Sequence, residues 1–518
     1  MNEIGEHVGL LLPVIFPMLA GAGVLLAKRL RDDRGKLVKA VILSLVAEAA
    51  LICVSLAVGG SLAVWELTAN FAIVFKVDGI SRLFAALTGI AWLLVGAYAV
   101  CYMSHEGEGH RFFGYYLIVL GVLVGLDFSG NLITLYLFYE LMTLTSLPLV
   151  LHGRTKEAVM AGLKYLFYSV AGAFLALFGI FFLAAATGTA LDFVPGGMFT
   201  GMAPNASAAL SNGALVDVAF DGREGLLLAA VFCLLAGFGV KAGMFPLHGW
   251  LPTAHPVAPA PASALLSGVI TKAGVLAIIR VVYFVVGPDV IRGTWVQDTW
   301  VLLTLLTVFM GSLLAFWEPL LKKRLAYSTV SQVSYILFGL SMLHLTSFVG
   351  ALSHVVFHSL IKDGLFLCAG AITMVTGKTR VKDMVGLGRG MPLLLGCYTV
   401  LSLALIGIPP ASGFVSKWYL ATGAMASGTG AWAWIGPAVL LASALLTAGY
   451  LLPLSIQGYF PGADFGMVKG GDGQEAKSQK LSAWMMFPVL LFTAGALLLG
   501  CFPGRLVAML ETIGSAVL

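Results

Sequence analysis

The chain has 518 residues, 59% hydrophobic and only 11% charged, where soluble globular domains carry about a quarter charged residues. Apolar runs of bilayer-spanning length, about 17 to 25 residues each, recur from Leu10 to Cys501 with short interruptions, which excludes a soluble domain between them. The formal net charge of +5 informs less by its size than by its placement, because the basic residues concentrate in alternate loops.

Splitting the runs at polar or Gly/Pro-rich breaks predicts an all-α polytopic membrane protein with about 14 transmembrane helices. The expected spans are 8–27, 37–58, 79–103, 112–127, 130–152, 160–187, 225–245, 258–286, 297–316, 325–343, 346–376, 392–424, 433–459 and 482–503. The longest must tilt, bend or break. Span 1 lacks a preceding basic segment and a following small-residue cleavage site, so it reads as a retained helix rather than a signal peptide. Residues 59–78, with VWELTANFAIVFKVDG, are too polar to span and predict an extracytoplasmic β-hairpin or re-entrant cover. Gly188 to Gly222 reads as a long outer loop, and its Asn205-Ala206-Ser207 triplet matches an N-glycosylation acceptor. Three groups divide the chain: 1–111 with helices 1 to 3 and the hairpin, a core over 112–459, and 460–518 with a loop and helix 14.

Basic residues follow span 1 (Lys28, Arg29, Arg31, Arg34, Lys36), span 9 (Lys322, Lys323, Arg324) and span 11 (Lys378, Arg380, Lys382, Arg389). All three loops fall on one side if the count is right, so an even span number puts both termini on the extracytoplasmic side. The six cysteines are scattered singly in or beside apolar segments and read as packing residues. GLGRG at 386–390 lies between helices rather than after a strand, and no Walker loop is present, so nucleotide chemistry has no motif here.

The informative residues are the ionisable ones at depth, each costing about 2.5–3.5 kcal/mol at the centre of a lone helix. Glu140 lies in span 5, Lys164 in span 6, Lys241 in span 7, Lys272 in span 8, His354, His358, Lys362 and Asp363 in span 11, and Lys417 in span 12. Glu48 and Asp127 are less informative. Static ion pairing is the bland explanation, but lysines outnumber acids in this set. A carboxylate moving toward or away from a buried lysine switches its proton loading, which suits Glu140 as modulating acid and Lys241 as carrier. His354, His358 and Lys362 fall at i, i+4 and i+8, a row suited to proton relay, to structural hydrogen bonding or, less readily, to metal binding. His248 and His255, in PLHGWLPTAHPVAPAPAS, are candidate points of proton access or interfacial caps.

An internal repeat supports transport. Lys164 is followed at the same offsets by Ala171-Gly172-Ala173 as Lys362 is by Ala369-Gly370-Ala371, five helices apart. A repeat of odd helix number inverts its second copy across the membrane. Spans 7 and 12, also five apart, each carry a lysine beside a break, at Gly243-Met244-Phe245-Pro246 and at GIPPASG over 407–413. Proline removes a backbone donor, so both helices are expected to unwind at depth, where freed groups must face protein or water.

The blocks LFYELMTLTSLPLVLH (137–152), KAGMFPLHGWLPTAHPVAPAPASALLSGVITKAGVL (241–276), KKRLAYSTVSQVSYILFGL (322–340), HSLIKDGLFLCAG (358–370) and GIPPASGFVSKW (407–418) carry a family resemblance. The chain resembles the proton-conducting antiporter family: antiporter-like subunits of respiratory complex I, of Mrp-type Na+/H+ antiporters and of membrane-bound hydrogenases. The resemblance implies proton translocation by Glu140, Lys241, Lys272 and Lys417 with His354, His358 and Lys362 as relay. It also implies inverted five-helix units of helices 4–8 and 9–13. Asp363 departs from the small residue expected after Lys362; it would slow protons by pairing with Lys362 or help to bind a cation. The long lateral helix of the largest complex I antiporter-like subunit has no counterpart after span 14.

The expectation is therefore an ion-translocating subunit of a larger complex in a prokaryotic plasma membrane. Its partners would be other membrane subunits, protons, Na+ in the antiporter case, and lipid; no cofactor, metal or nucleic acid is implied. Any redox chemistry would lie elsewhere in the complex. A self-sufficient secondary transporter and a scaffold whose charges are structural are the alternatives.

Overall fold

The computed structural model describes residues 9–68, 71–187, 191–199, 224–462 and 481–518. Among the described residues, twelve helices are long and apolar enough to cross a membrane. In chain order they are α1 (Gly9–Leu26), α2 (Arg34–Val58), α3 (Gly79–Glu106), α4 (Gly109–Asp127), α5 (Leu132–Val150), α6 (Lys156–Thr187), α7 (Gly225–Ala242), α8 (Ala260–Val286) and α9 (Trp295–Trp317). After α10 (Leu321–Ser341) come α11 (Leu345–Thr376), the halves α12a (Pro392–Ile406) and α12b (Ser412–Ala426), α13 (Trp432–Tyr459) and α14 (Ala483–Cys501). Each of the expected spans has a helical counterpart. The helix α10 falls short of membrane hydropathy because its inner face carries Ser328, Thr329, Ser331, Gln332 and Ser334, all fully buried. A terminal helix, Gly504–Ser515, follows α14.

The layering follows from which faces are apolar and large. On α6 the phenylalanines 167, 174, 178 and 181 point outward, Phe167 with 72% of its surface free. The opposite face is small. At Gly172 a β-carbon would press on the Gly237 carbonyl of α7, and at Gly237 on that of Gly172, so the two backbones meet directly. Small residues at such crossings are how helices associate where lipid is as apolar as leucine. At the other extreme α8 is buried on all sides; it and α11 form the centre of the bundle.

The expected hairpin is present as two paired antiparallel strands, β1 (Gly60–Thr68) and β2 (Phe71–Val77). It is tied to the bundle where Thr134 Oγ1 accepts from Val74 N at 2.9 Å and Asn131 Nδ2 donates to the Ala72 carbonyl at 2.9 Å. The Asn205-Ala206-Ser207 triplet lies outside the described residues. The long expected spans resolve in different ways: α11 runs unbroken, α12 splits, and α8 contains two π-helical turns, Leu266–Ile270 and Val281–Val286.

Both predicted breaks are present. The helix α7 ends at Ala242; Gly243 takes φ +78°, which suits glycine, and the chain turns before the short helix Leu251–Val257. The freed groups find partners: Trp250 Nε1 donates to the Val240 carbonyl (2.8 Å) and Phe245 N donates to Thr307 Oγ1 of α9 (2.9 Å). In α12 the chain breaks at Gly407, φ +95°. Its lysine follows the break, whereas in α7 Lys241 precedes it.

Candidate functional site

The lysine of α7 is enclosed by neutral hydroxyls. Its Nζ donates to Thr143 Oγ1 of α5 (2.9 Å) and to Tyr165 OH and Ser169 Oγ of α6 (both 3.0 Å). Those bonds use all three ammonium donors. Nζ also lies 4.4 Å from the Tyr165 ring centroid, within cation–π range. Tyr165 OH in turn shares a 2.7 Å hydrogen bond with Ser146. No ion pair joins Lys241 to Glu140, the acid expected to modulate it. Glu140 is half-buried and its Oε1 has no hydrogen-bond partner.

Lys164 is separate from this cluster. Its Nζ donates to Thr253 Oγ1 on the short helix after the α7 break, at 3.2 Å. His248 stacks on Phe245 in the break itself, with a centroid separation of 6.0 Å. His255 is wholly buried, neither ring nitrogen has a partner, and its ring lies flat on Phe366 of α11 at 4.7 Å. It is therefore not an interfacial cap.

The centre of the bundle holds a line of polar groups. Lys272 Nζ donates to the Ser267 carbonyl (2.5 Å) and shares a 2.7 Å hydrogen bond with His358 Nδ1. Ser267 lies in the first π turn of α8. The His358 and His354 rings are 5.8 Å apart, as their i, i+4 spacing requires. His354 Nδ1 then reaches Ser416 Oγ of α12b at 2.8 Å, and its ring stacks on Tyr335 of α10 at 5.6 Å. The next residue, Lys417, sits over that same Tyr335 ring at 5.1 Å.

Lys417 Nζ donates to the carbonyls of Leu405 (2.7 Å) and Ile406 (2.8 Å). These are the terminal carbonyls of α12a, left without intrahelical partners by the break, at the negative end of that half-helix. The third residue of the α11 row turns elsewhere: Lys362 Nζ donates to the Leu325 carbonyl of α10 at 3.0 Å. The anticipated pairing of Asp363 with Lys362 is absent, since neither Asp363 oxygen has a hydrogen-bond partner. Among the described residues no His/Cys/Asp/Glu group is arranged to hold a metal.

A polar centre that the sequence reading passed over lies between α8, α3 and α4. Arg280, 1% exposed, pairs bidentately with Asp78 at 2.6 and 2.9 Å and donates to Ser81 Oγ at 3.0 Å. The guanidinium is flanked by Phe193 and Phe284 at 4.7 and 4.6 Å. Nearby, Asp127 accepts from Thr88 Oγ1 at 2.8 Å. Burial pushes the Asp78 carboxyl up, but the Arg280 charge and the Arg280 and Ser81 hydrogen bonds outweigh it and hold Asp78 below the usual carboxylate range. The signal was an arginine deep in the apolar run VLAIIRVVYFVV.

Broken helices around a central file of lysines and histidines define an antiporter-like membrane subunit. Residues 129–445 match the family described as NADH:quinone oxidoreductase/Mrp antiporter, TM. The chain is 33% identical over 449 residues to NADH-quinone oxidoreductase subunit N of Desulforudis audaxviator, covering 83% of each chain. It is 29% identical over 444 residues to a Na(+)/H(+) antiporter subunit of Bacillus subtilis, covering 85% of this chain and 82% of that one. Its fold matches a chain of the Mrp complex from Dietzia sp. DQ12-45-1b with a TM-score of 0.80 and 24% identity, covering 98% of this chain and 97% of that one. The chain belongs to the NADH:quinone oxidoreductase/Mrp antiporter transmembrane family, and is a multi-pass membrane protein.

Proposed function

We propose that this chain is the proton-translocating membrane subunit of a multisubunit complex, and that Lys241, Lys272, His358, His354 and Lys417 carry the protons. The observation that supports this most is the central line: a 2.7 Å Lys272–His358 bond, two imidazoles 5.8 Å apart, a 2.8 Å His354–Ser416 bond, and Lys417 adjacent. Amines and imidazoles load and release protons, whereas a file of them repels Na+. Glu140 modulates Lys241 through space, and Lys164, with His248 and His255 around the α7 break, serves access from one side. Lys362, held by the Leu325 carbonyl, contributes positive charge and a branch to α10.

Relatives named as subunits of NADH-quinone oxidoreductase and of Na(+)/H(+) antiporters support other membrane subunits as partners. The basic clusters after α1, at the start of α10 and after α11 support an orientation with both termini extracytoplasmic. The Lys164 and Lys362 repeats and the two broken helices support inverted units of α4–α8 and α9–α13. The test is proton flux in inverted membrane vesicles carrying the whole complex, with Lys241→Ala and Lys417→Ala. Flux should be abolished in both with subunit assembly normal. Unchanged flux in assembled variants would reduce the charges to structure, and full transport by this chain purified alone would overturn the subunit reading.

A further inference from the structure

Asp363 is the one buried acid on α11, and the bundle makes room for it in a specific way. Its carboxyl rests on Gly268 of α8, where any β-carbon would run into it. Gly268 belongs to the π turn that also supplies the Ser267 carbonyl to Lys272. The Gly268 carbonyl is itself occupied, accepting from Ser359 Oγ of α11 at 2.5 Å. Both Asp363 oxygens are therefore fully buried, unbonded and seated on the turn that positions the central lysine.

The ionisable groups that face Asp363 from neighbouring helices are Lys272 of α8 and Tyr116 of α4. Tyr116 OH already donates to the Trp92 carbonyl at 2.6 Å. On its own helix Lys362 is committed to Leu325 and His358 to Lys272. An ionised carboxylate without a donor in a dry interior costs several kcal/mol. A metal cation would have to share the space with the Lys272 and Lys362 ammonium groups, which repel it. A proton given up by Lys272 itself escapes that repulsion, because the ammonium becomes neutral as the acid forms.

We propose that Asp363 is a proton-holding site of the file, exchanging a proton with Lys272. In the transfer the Lys272 side chain swings from the Ser267 carbonyl and His358, its partners here, to the carboxylate; an N–H bond of the ammonium then breaks and an O–H bond forms on Asp363, giving a neutral amine and a neutral acid. The pair has zero net charge before and after, so Lys272 becomes free to accept the next proton from His358 without a bare charge being left behind. The α11 acid gives the central lysine an acidic companion, as Glu140 is to Lys241. This inference rests on the reading of Lys272 as a proton carrier.

The experiment uses vesicles and purified complex containing Asp363→Asn, Asp363→Ser or Lys272→Met. Asn keeps the shape over Gly268, and Ser covers the case in which Asn disturbs assembly. Proton flux should fall about a hundredfold in the Asp363 variants, the lower end of what a positioned acid–base group contributes. The infrared carbonyl band of a protonated carboxylic acid, shifting in deuterium oxide, should diminish in the Asp363 variants. Assembled Asp363 variants with unchanged flux, pH profile and infrared band overturn the proposal. Failure of both variants to assemble overturns it as well, in favour of a structural carboxyl. If Lys272→Met is equally silent, the translocation reading itself falls; if Lys272→Met abolishes flux and the Asp363 variants do not, only the Asp363 inference falls.

Discussion

His358 Nδ1 and Lys272 Nζ lie 2.7 Å apart, a hydrogen bond that joins α11 to α8 at the centre of the bundle. When Lys272 is an ammonium it donates, so His358 carries its own proton on Nε2, the nitrogen on the far side of the ring. A proton can thus arrive on one side of the imidazole and leave on the other. Replacing His358 by Ala should remove a charge-assisted bond of about 1.5–3 kcal/mol and lower proton flux sharply. Thermal unfolding of the purified complex beside vesicle flux measures both effects, and a variant losing stability alone would count against relay.

Charge and proton exchange can be separated at Lys241. Arginine keeps a positive charge but does not release its proton in proteins. Lys241→Arg should therefore lose flux as fully as Lys241→Ala while assembling better. Flux retained by the arginine variant would mean that Lys241 supplies only a fixed charge.

The hydroxyl shell of Lys241 depends on how closely α6 and α7 approach. Gly172→Val would wedge the crossing at Gly237, moving Ser169 and Tyr165 away from the ammonium. The overpacking should cost about 1–3 kcal/mol and depress flux although residue 172 is not ionisable. Unfolding temperature and vesicle flux together report this. Normal flux in a destabilised Gly172→Val complex would show that the shell is dispensable.

The Asp78–Arg280 pair makes a pH prediction. Asp78 is held below the usual carboxylate range, so its stabilisation is complete above about pH 4, where the unfolded carboxyl is ionised. It is lost as pH falls through the lower folded value. Asp78→Asn should cost about 3 kcal/mol, because Arg280 is left buried without its counter-charge, and should flatten the acid limb of the stability curve. Melting curves of wild type and variant from pH 6 down to pH 3 check both; parallel curves would refute the assignment.

Much of the architecture was legible because bilayer thickness fixes span length and proline fixes breaks. The expected ranges and the interruptions after Lys241 and before Lys417 follow from those two rules, and the hairpin from a stretch too polar to span. The partners of the buried charges were not legible. Glu140 and Lys241 suggested a modulating acid and its carrier, but not that Lys241 would be satisfied by Thr143, Tyr165 and Ser169. Hydroxyls in apolar helices usually bond their own helix, as Thr145 does to the Leu141 carbonyl, so nothing in the sequence distinguishes the few that turn to a neighbour. Arg280 found Asp78 across about two hundred residues of chain, a separation that no local pattern records.

The π turn at Leu266–Ile270 also sets a phase. An α-helix advances about 100° per residue, so the number of residues between the start of α8 and Lys272 determines the compass bearing of its amine. Removing one residue from that turn would leave composition, hydropathy and span length nearly intact while swinging Lys272 away from His358 and toward another wall of the bundle. In this helix a single-codon deletion is a rotation, and residue count is as much an inherited property of the site as residue identity.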